Sequence, residues 1–180
     1  FVENSAHLVR DIKRSKERFV KNYRDNHTPS FPPVWMIAEI LSFGSLSHWY
    51  ANLKEASVRQ SIADPFSLDE SVFRPLIHHL TVVRNICAHH SRLWNRQVPV
   101  ALRLPNNPAH LGQSMNAIMP KGLYNTLTLL AFVLNEINAL PDWQGRLLTH
   151  LDSLPYGGLG QLGFPANFET LPIWNGVARI

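Results

Sequence analysis

The chain has 180 residues, 45% hydrophobic and 17% charged, which excludes a disordered polypeptide and allows one core-bearing domain. A single cysteine, Cys87, excludes an internal disulfide framework and fits a reducing cytoplasm. The net charge is only +4, but between Glu70 and Glu136 there is no acid at all, while Arg74, Arg84, Arg92, Arg96, Arg103, Lys121 and five of the nine histidines fall there. A one-signed field of this kind attracts polyanions, with nucleic acid the first candidate.

In chain order, "SAHLVRDIKRSKERFVKNYRD" reads as one amphipathic helix, with Leu8, Ile12, Phe19 and Tyr23 at helical spacing and basic residues over the other face. Its default role is a solvated surface, with an RNA-tracking or membrane-surface role as the alternative. The prolines of "NHTPSFPP" break it, and Pro33 suits the first turn of the next helix. "VWMIAEILSFGSLSHWYANLK" is apolar almost all round, as expected of a central helix, with Gly44 as a kink or close-packing point. Glu39 within it would need a buried partner, and an arginine of the acid-free span is the natural one. Ser42, Gly44, Ser45, Ser47 and His48 interrupt the run below the roughly 18 apolar residues that cross a bilayer, so no membrane partner is expected. Nor does a charged-then-apolar leader open the chain.

A short helix near Val58–Ala63 comes next, and then a capping box from Ser67 to Glu70 that opens a long helix over about Asp69–Trp94. "LPNNPAHLG" reads as loop. "KGLYNTLTLLAFVLNEINAL" is a further apolar helix ended by Pro141, and "DWQGRLLTHLDSL" a shorter one. The glycine-rich tail "YGGLGQLGFPANFETLPIW" suits an ordered cap or an extended loop over the core. The expected architecture is all-α, a single bundle of about five or six helices over residues 1–180 with an irregular C-terminal tail. The chain opens on Phe1 with helical patterning at once, so it reads as a fragment of a longer protein lacking its N-terminal region.

The stretch "VVRNICAHHSRLWNR", Val82 to Arg96, concentrates three arginines, two asparagines and two histidines with no acid beside them. At about 100° per residue, Phe73, Ile77, Leu80, Val83, Cys87 and Ser91 form the natural core stripe. His78, Val82, Asn85, His89, Arg92 and Arg96 form a second, polar stripe, and Arg84 near the core boundary either runs along the helix to reach it or pairs inward with Glu39. Cleavage of RNA by its own 2′-hydroxyl uses this set of groups. A histidine exchanges a proton near neutrality, and an arginine stabilises the extra charge on a pentavalent phosphate. The nucleophile belongs to the substrate, so no activated serine or cysteine, no metal and no cofactor is required. The reaction wants both a base and an acid, however, and a two-fold dimer would bring two histidines together.

"RNICAHHSRLWNR" resembles the signature of the Abi-like family, the abortive-infection phage-resistance proteins of the AbiD/AbiF type, within the HEPN superfamily of helical domains. Arg84, Asn85 and His89 match the superfamily pattern of an arginine, a polar residue and a histidine a few positions on, and His90 also satisfies the looser spacing. "PPVWMIAEILSFGSLSHWYANLK" is similar to the family's apolar upstream segment. The resemblance implies a cytoplasmic, metal-independent endoribonuclease active as a homodimer in phage defence, with Arg84 and His89 at a composite site, Asn85 supporting them and His90 as a further support. Candidate partners are RNA, a second copy of the chain and an antitoxin, protein or RNA.

Other assignments stay open. His89 shares a face with Asn85 and is preferred to His90, which points about 100° away. His78, Arg92, Asn95 and Arg96 are candidate RNA contacts or ordinary surface residues. His78 and His89 lie three turns apart, too far to share a metal. Trp94 and Cys87 read as core residues. The alternative to the nuclease is a non-catalytic helical module that binds RNA or protein, with the Arg/His motif holding a dimer together.

Overall fold

The computed structural model describes residues 2–27, 31–154 and 158–180, with side chains from Leu8 onward. The middle of the "NHTPSFPP" break and the first residues of the glycine-rich tail lie outside them. Among the described residues there are ten α-helices, two 3₁₀ turns and no strand, so the fold is all-α. The helices are shorter and more numerous than their hydrophobic patterning predicts, because caps break the long segments. The chain's contacts group into two compact units, one up to Asn52 and one from Leu53 onward.

In the first unit, α1 (Val2–Arg14) and α2 (Arg18–Asn26) divide what reads as one helix. The Ser15 amide closes α1 on the Asp11 carbonyl, and the Ser15 hydroxyl then accepts from the Glu17 amide at 3.3 Å, so the side chain competes with the helix for backbone partners. The break rotates the apolar face: Val20 joins Leu8 and Ile12 in the core, while Phe19 is exposed and Tyr23 half-buried. The segment expected as a central helix is likewise split into α3 (Val34–Ile40) and α4 (Phe43–Ala51). Ser42 is the cause. Its hydroxyl accepts from the Ser45 amide at 3.0 Å, an N-cap that starts a new helix just after extended Leu41. Ile37 completes the core of this unit, and Ile40, Leu41 and Trp49 pack against it. Glu39 is exposed and is not the buried acid expected of it.

The second unit begins with α5 (Ala56–Ala63), a 3₁₀ turn over Asp64–Phe66, and α6 (Glu70–Ala88). The expected capping box does not form. Ser67 adopts left-handed backbone (φ +52°) and its hydroxyl bonds the Glu136 carboxylate; the cap is Asp69, whose side chain accepts from the Ser71 amide at 2.8 Å. Within α6 the buried positions are Val72, Phe73, Leu76, His79, Thr81 and Ile86, so the core stripe lies about one residue away from the expected one. Cys87 is exposed as a result.

Beyond it lie α7 (Ala109–Ser114), inside the stretch read as loop, α8 (Leu123–Glu136), α9 (Trp143–Asp152) and α10 (Gly158–Gln161). Helix α8 stops five residues before Pro141, because Asn138 takes left-handed backbone (φ +48°) and closes the helix end. The tail is core rather than covering loop. Leu162, Phe164, Phe168 and Trp174 pack with Tyr124, Ala131, Leu148 and Leu151, and the Trp174 indole donates to Thr128 Oγ1 at 3.2 Å. Burying a tryptophan to 1% exposure without satisfying its N–H would cost on the order of 1–3 kcal/mol, and Thr128 avoids that penalty.

Candidate functional site

The motif residues sit where α6 ends, and the ending is built by the backbone. The helix runs to Ala88, six residues short of the expected Trp94; His89 is its C-cap, still close to helical backbone (φ −92°, ψ 16°), and His90 turns to left-handed backbone (φ +51°). The His90 amide then donates to the Cys87 carbonyl and the Ser91 amide to the Ile86 carbonyl, both at 2.9 Å. This pair of bonds is a Schellman motif, which satisfies carbonyls that an open helix end would leave bare. Glycine usually takes the left-handed position; histidine tolerates it better than most residues. Helix α8 closes the same way with Asn138, through bonds from Asn138 to Asn135 (3.1 Å) and from Ala139 to Leu134 (3.0 Å).

This ending decides which of the two histidines stays in phase with the helix. His89 keeps its place one turn beyond Asn85, and its amide donates to the Asn85 carbonyl at 3.0 Å. The Asn85 side chain in turn accepts from Arg84 Nη1 at 3.1 Å. Asn85 is therefore bonded to both other members of the triad, through its amide oxygen to Arg84 and through its backbone to His89. Arg84, Asn85 and His89 are all exposed. Arg84 thus takes the outward of its two expected courses. The polar stripe, by contrast, ends with the helix, so Arg92 and Arg96 do not continue the face of Asn85 and His89.

His90, Ser91, Arg92, Asn95 and Arg96 are exposed on the segment after α6, and His78 is exposed earlier on the helix. The segment is pinned from below. Trp94 packs against the aromatic core, and a Cβ on Gly158 would lie 2.5 Å from its ring, so the tail approaches it as only glycine allows. A turn then brings the Arg96 amide to the Leu93 carbonyl at 3.2 Å with Asn95 left-handed (φ +50°). Val98 is fully buried, and its amide donates to the Lys121 carbonyl at 3.0 Å.

Helix α6 also carries His79, fully buried, a residue given no role from the sequence. Its Nδ1 lies 2.6 Å from the Val100 carbonyl oxygen and its Nε2 lies 2.7 Å from Thr126 Oγ1. A carbonyl can only accept, so Nδ1 carries the proton and Nε2 accepts from the threonine hydroxyl. Burial pushes the imidazole below its ordinary value, against the opposing Val100 hydrogen bond, with a smaller lowering from His78. The ring is a neutral clasp joining α6, α8 and the 97–100 segment. A signal for it was present in the spacing Val72–Leu76–His79–Val83–Ile86, a helical stripe with one polar member.

Among the described residues no carboxylate pairs with Arg84, Arg92 or Arg96. No group of three or more metal-ligating side chains occurs among them either, and no helix is long and apolar enough to cross a membrane. An exposed, unneutralised guanidinium bonded to a neighbouring side-chain amide can grip a phosphate, and a histidine one turn on is a residue type that can exchange a proton.

Compared with known proteins, residues 2–95 match the family described as Abi-like protein, just over half of the chain and including the α6 motif. No curated protein and no solved structure matches it significantly.

Proposed function

The chain belongs to the Abi-like family, and from that membership and the end of α6 we propose that it is a HEPN-type, metal-independent endoribonuclease of bacterial abortive infection. The observation that carries the reading is the Arg84–Asn85–His89 arrangement: an exposed guanidinium held by Asn85 at 3.1 Å, with the imidazole-bearing residue bonded to the same asparagine one turn on. The acid-free surroundings support phosphate chemistry driven by cations and proton transfer. Carboxylate-held magnesium would want acids that this span lacks.

In the proposed reaction a histidine removes the proton of the ribose 2′-hydroxyl. The freed oxygen attacks the adjacent phosphorus, and the bond from phosphorus to the 5′-oxygen breaks. A second proton carrier delivers a proton to that leaving oxygen. The products are a 2′,3′-cyclic phosphate and a 5′-hydroxyl. Arg84 stabilises the phosphorane charge, and Asn85 orients Arg84. A homodimer pairing two copies of the α6 end supplies His89 twice, once as base and once as acid. His90 lies beside it as a support, and His78, Arg92, Asn95 and Arg96 are proposed RNA contacts. An antitoxin, protein or RNA, would act by covering this surface.

The test is RNA cleavage in excess EDTA by the wild-type chain and by His89→Ala, with product ends read by phosphatase sensitivity. Cutting that survives EDTA, leaves cyclic phosphate ends and disappears in the variant is the expected result. Retention of uncut RNA by a folded, dimeric protein would instead identify a binding module.

A further inference from the structure

The span around the motif is not the chain's only basic region. Between Leu8 and His27 there are seven basic residues and three acids, a balance of +4 that equals the net charge of the whole chain; the remaining residues hold ten of each sign. Arg10, Lys13, Arg14, Lys16, Arg18 and Lys21 are all exposed, and among the described residues none of them lies in an ion pair. Of the nearby acids, Asp25 is bonded to Arg24 at 3.4 Å, while Asp11, Glu17 and Glu39 line a cleft with Arg14 and Lys16 without forming an ion pair among the described residues.

The break between α1 and α2 falls in the middle of these cations. Arg10, Lys13 and Arg14 are three and four residues apart, on the side of α1 opposite Leu8 and Ile12. Arg24 Nη1 donates to the Lys13 carbonyl at 3.5 Å, which holds the last turn of α2 back against the last turn of α1. Lys16 and Arg18 flank the bend itself. A straight helix would string the same charges over about 20 Å or more; the elbow instead brings Arg24 back to the Lys13 carbonyl.

We infer that the α1–α2 elbow is a second RNA-contacting surface, one that holds the phosphate backbone without reading sequence. The inference rests on RNA being the ligand, as proposed above. An anionic membrane surface is the competing partner for a basic amphipathic helix, and it needs a free apolar face to insert. Here that face is occupied: Leu8, Ile12 and Val20 are 3%, 5% and 0% exposed, closed over Ile37. What remains outside on α1 and α2 is the charged side with two apolar side chains, Val9 and Phe19, each 37% exposed among the cations, and the Phe19 ring is one on which a base can stack.

The experiment uses the full chain carrying His89→Ala, so that RNA is not cut, and a fluorescent single-stranded RNA whose anisotropy is followed from about 50 to about 200 mM salt. Changing Lys13, Arg14, Lys16, Arg18 and Lys21 together to glutamine is expected to weaken binding at least about tenfold and to flatten the log–log salt slope by about 3. Exchanging lysine for arginine and arginine for lysine at the same positions should restore both. With His89 intact, the glutamine variant should cut at the wild-type rate under saturating RNA but with a raised KM. Unchanged affinity and slope would overturn the inference while leaving the nuclease reading standing. Loss of affinity in a protein that never cuts RNA would sink the nuclease and keep the elbow. Binding of the wild-type chain to phosphatidylserine vesicles but not to RNA would overturn it in favour of a membrane surface.

Discussion

At its first turn, α6 is closed electrostatically. Asp69 caps the Ser71 amide, and bonds from Ser71 hold its carboxyl below the usual carboxylate range. Glu70 accepts from Arg59 Nε at 2.9 Å and its amide donates to Gln60, so that Arg59 lowers its carboxyl as well. At the last turn the backbone is closed just as fully, by the Schellman bonds, yet the side chains are not: Arg84, His89, His90 and Arg92 stand exposed without an acid. The acids at the start follow the helix dipole, while the last turn itself carries no base. The difference lies in partners. An end whose charges are matched within the fold holds structure together, whereas an end that is rigid in backbone and unmatched in charge is ready to meet an external anion.

The sharpest way to break this contrast is to remove the open end. Arg84→Ala and His89→Ala should each lower RNA cleavage at least about a hundredfold, while melting shifts by less than about 2 °C because both side chains are exposed; initial rates and thermal denaturation read the two separately. Were the variants to unfold, the α6 end would be structural after all. At the closed end the pattern should reverse. Arg59→Ala leaves a partly buried glutamate unpaired and should cost about 2–3 kcal/mol in urea denaturation, with cleavage per folded molecule unchanged.

Between the two ends, the buried clasp should give stability a pH dependence. The folded state resists protonation of His79 and the unfolded state does not, so its contribution is complete above the ordinary histidine value of 6.5 and is lost as pH falls below it. Urea midpoints measured between about pH 8 and about pH 5 should fall in wild type, and His79→Gln, though less stable throughout, should flatten that fall. The Glu70 contribution is lost in a separate window, below its ordinary value of 4.5. The smallest effect separates the neighbouring histidines. His90→Gly places glycine at the left-handed position and should raise stability by up to about 1 kcal/mol with cleavage retained. Abolished cleavage in that variant would move the proton-carrying role from His89 to His90.

Much of this was legible before any coordinates. The 3.6-residue spacing of apolar side chains announced an all-helical chain, because local periodicity is written directly in the residues, and the resemblance of "RNICAHHSRLWNR" to the Abi-like signature pointed to the family and to three candidate residues. The helix boundaries were less so. Ser15 and Ser42 break helices through hydroxyl–amide bonds that compete weakly with helix continuation, and His90 ends α6 without the glycine that usually marks such a stop. Least visible was the division between adjacent residues: His78 outside and His79 buried, Arg84 outward instead of paired inward. His79 is held inside by the Val100 carbonyl and Thr126, groups 21 and 47 positions away along the chain. Local pattern alone therefore determined that a basic, histidine-bearing helix exists. Only the tertiary structure decided which of its groups meet solvent, since burial is a property of what arrives from elsewhere in the fold.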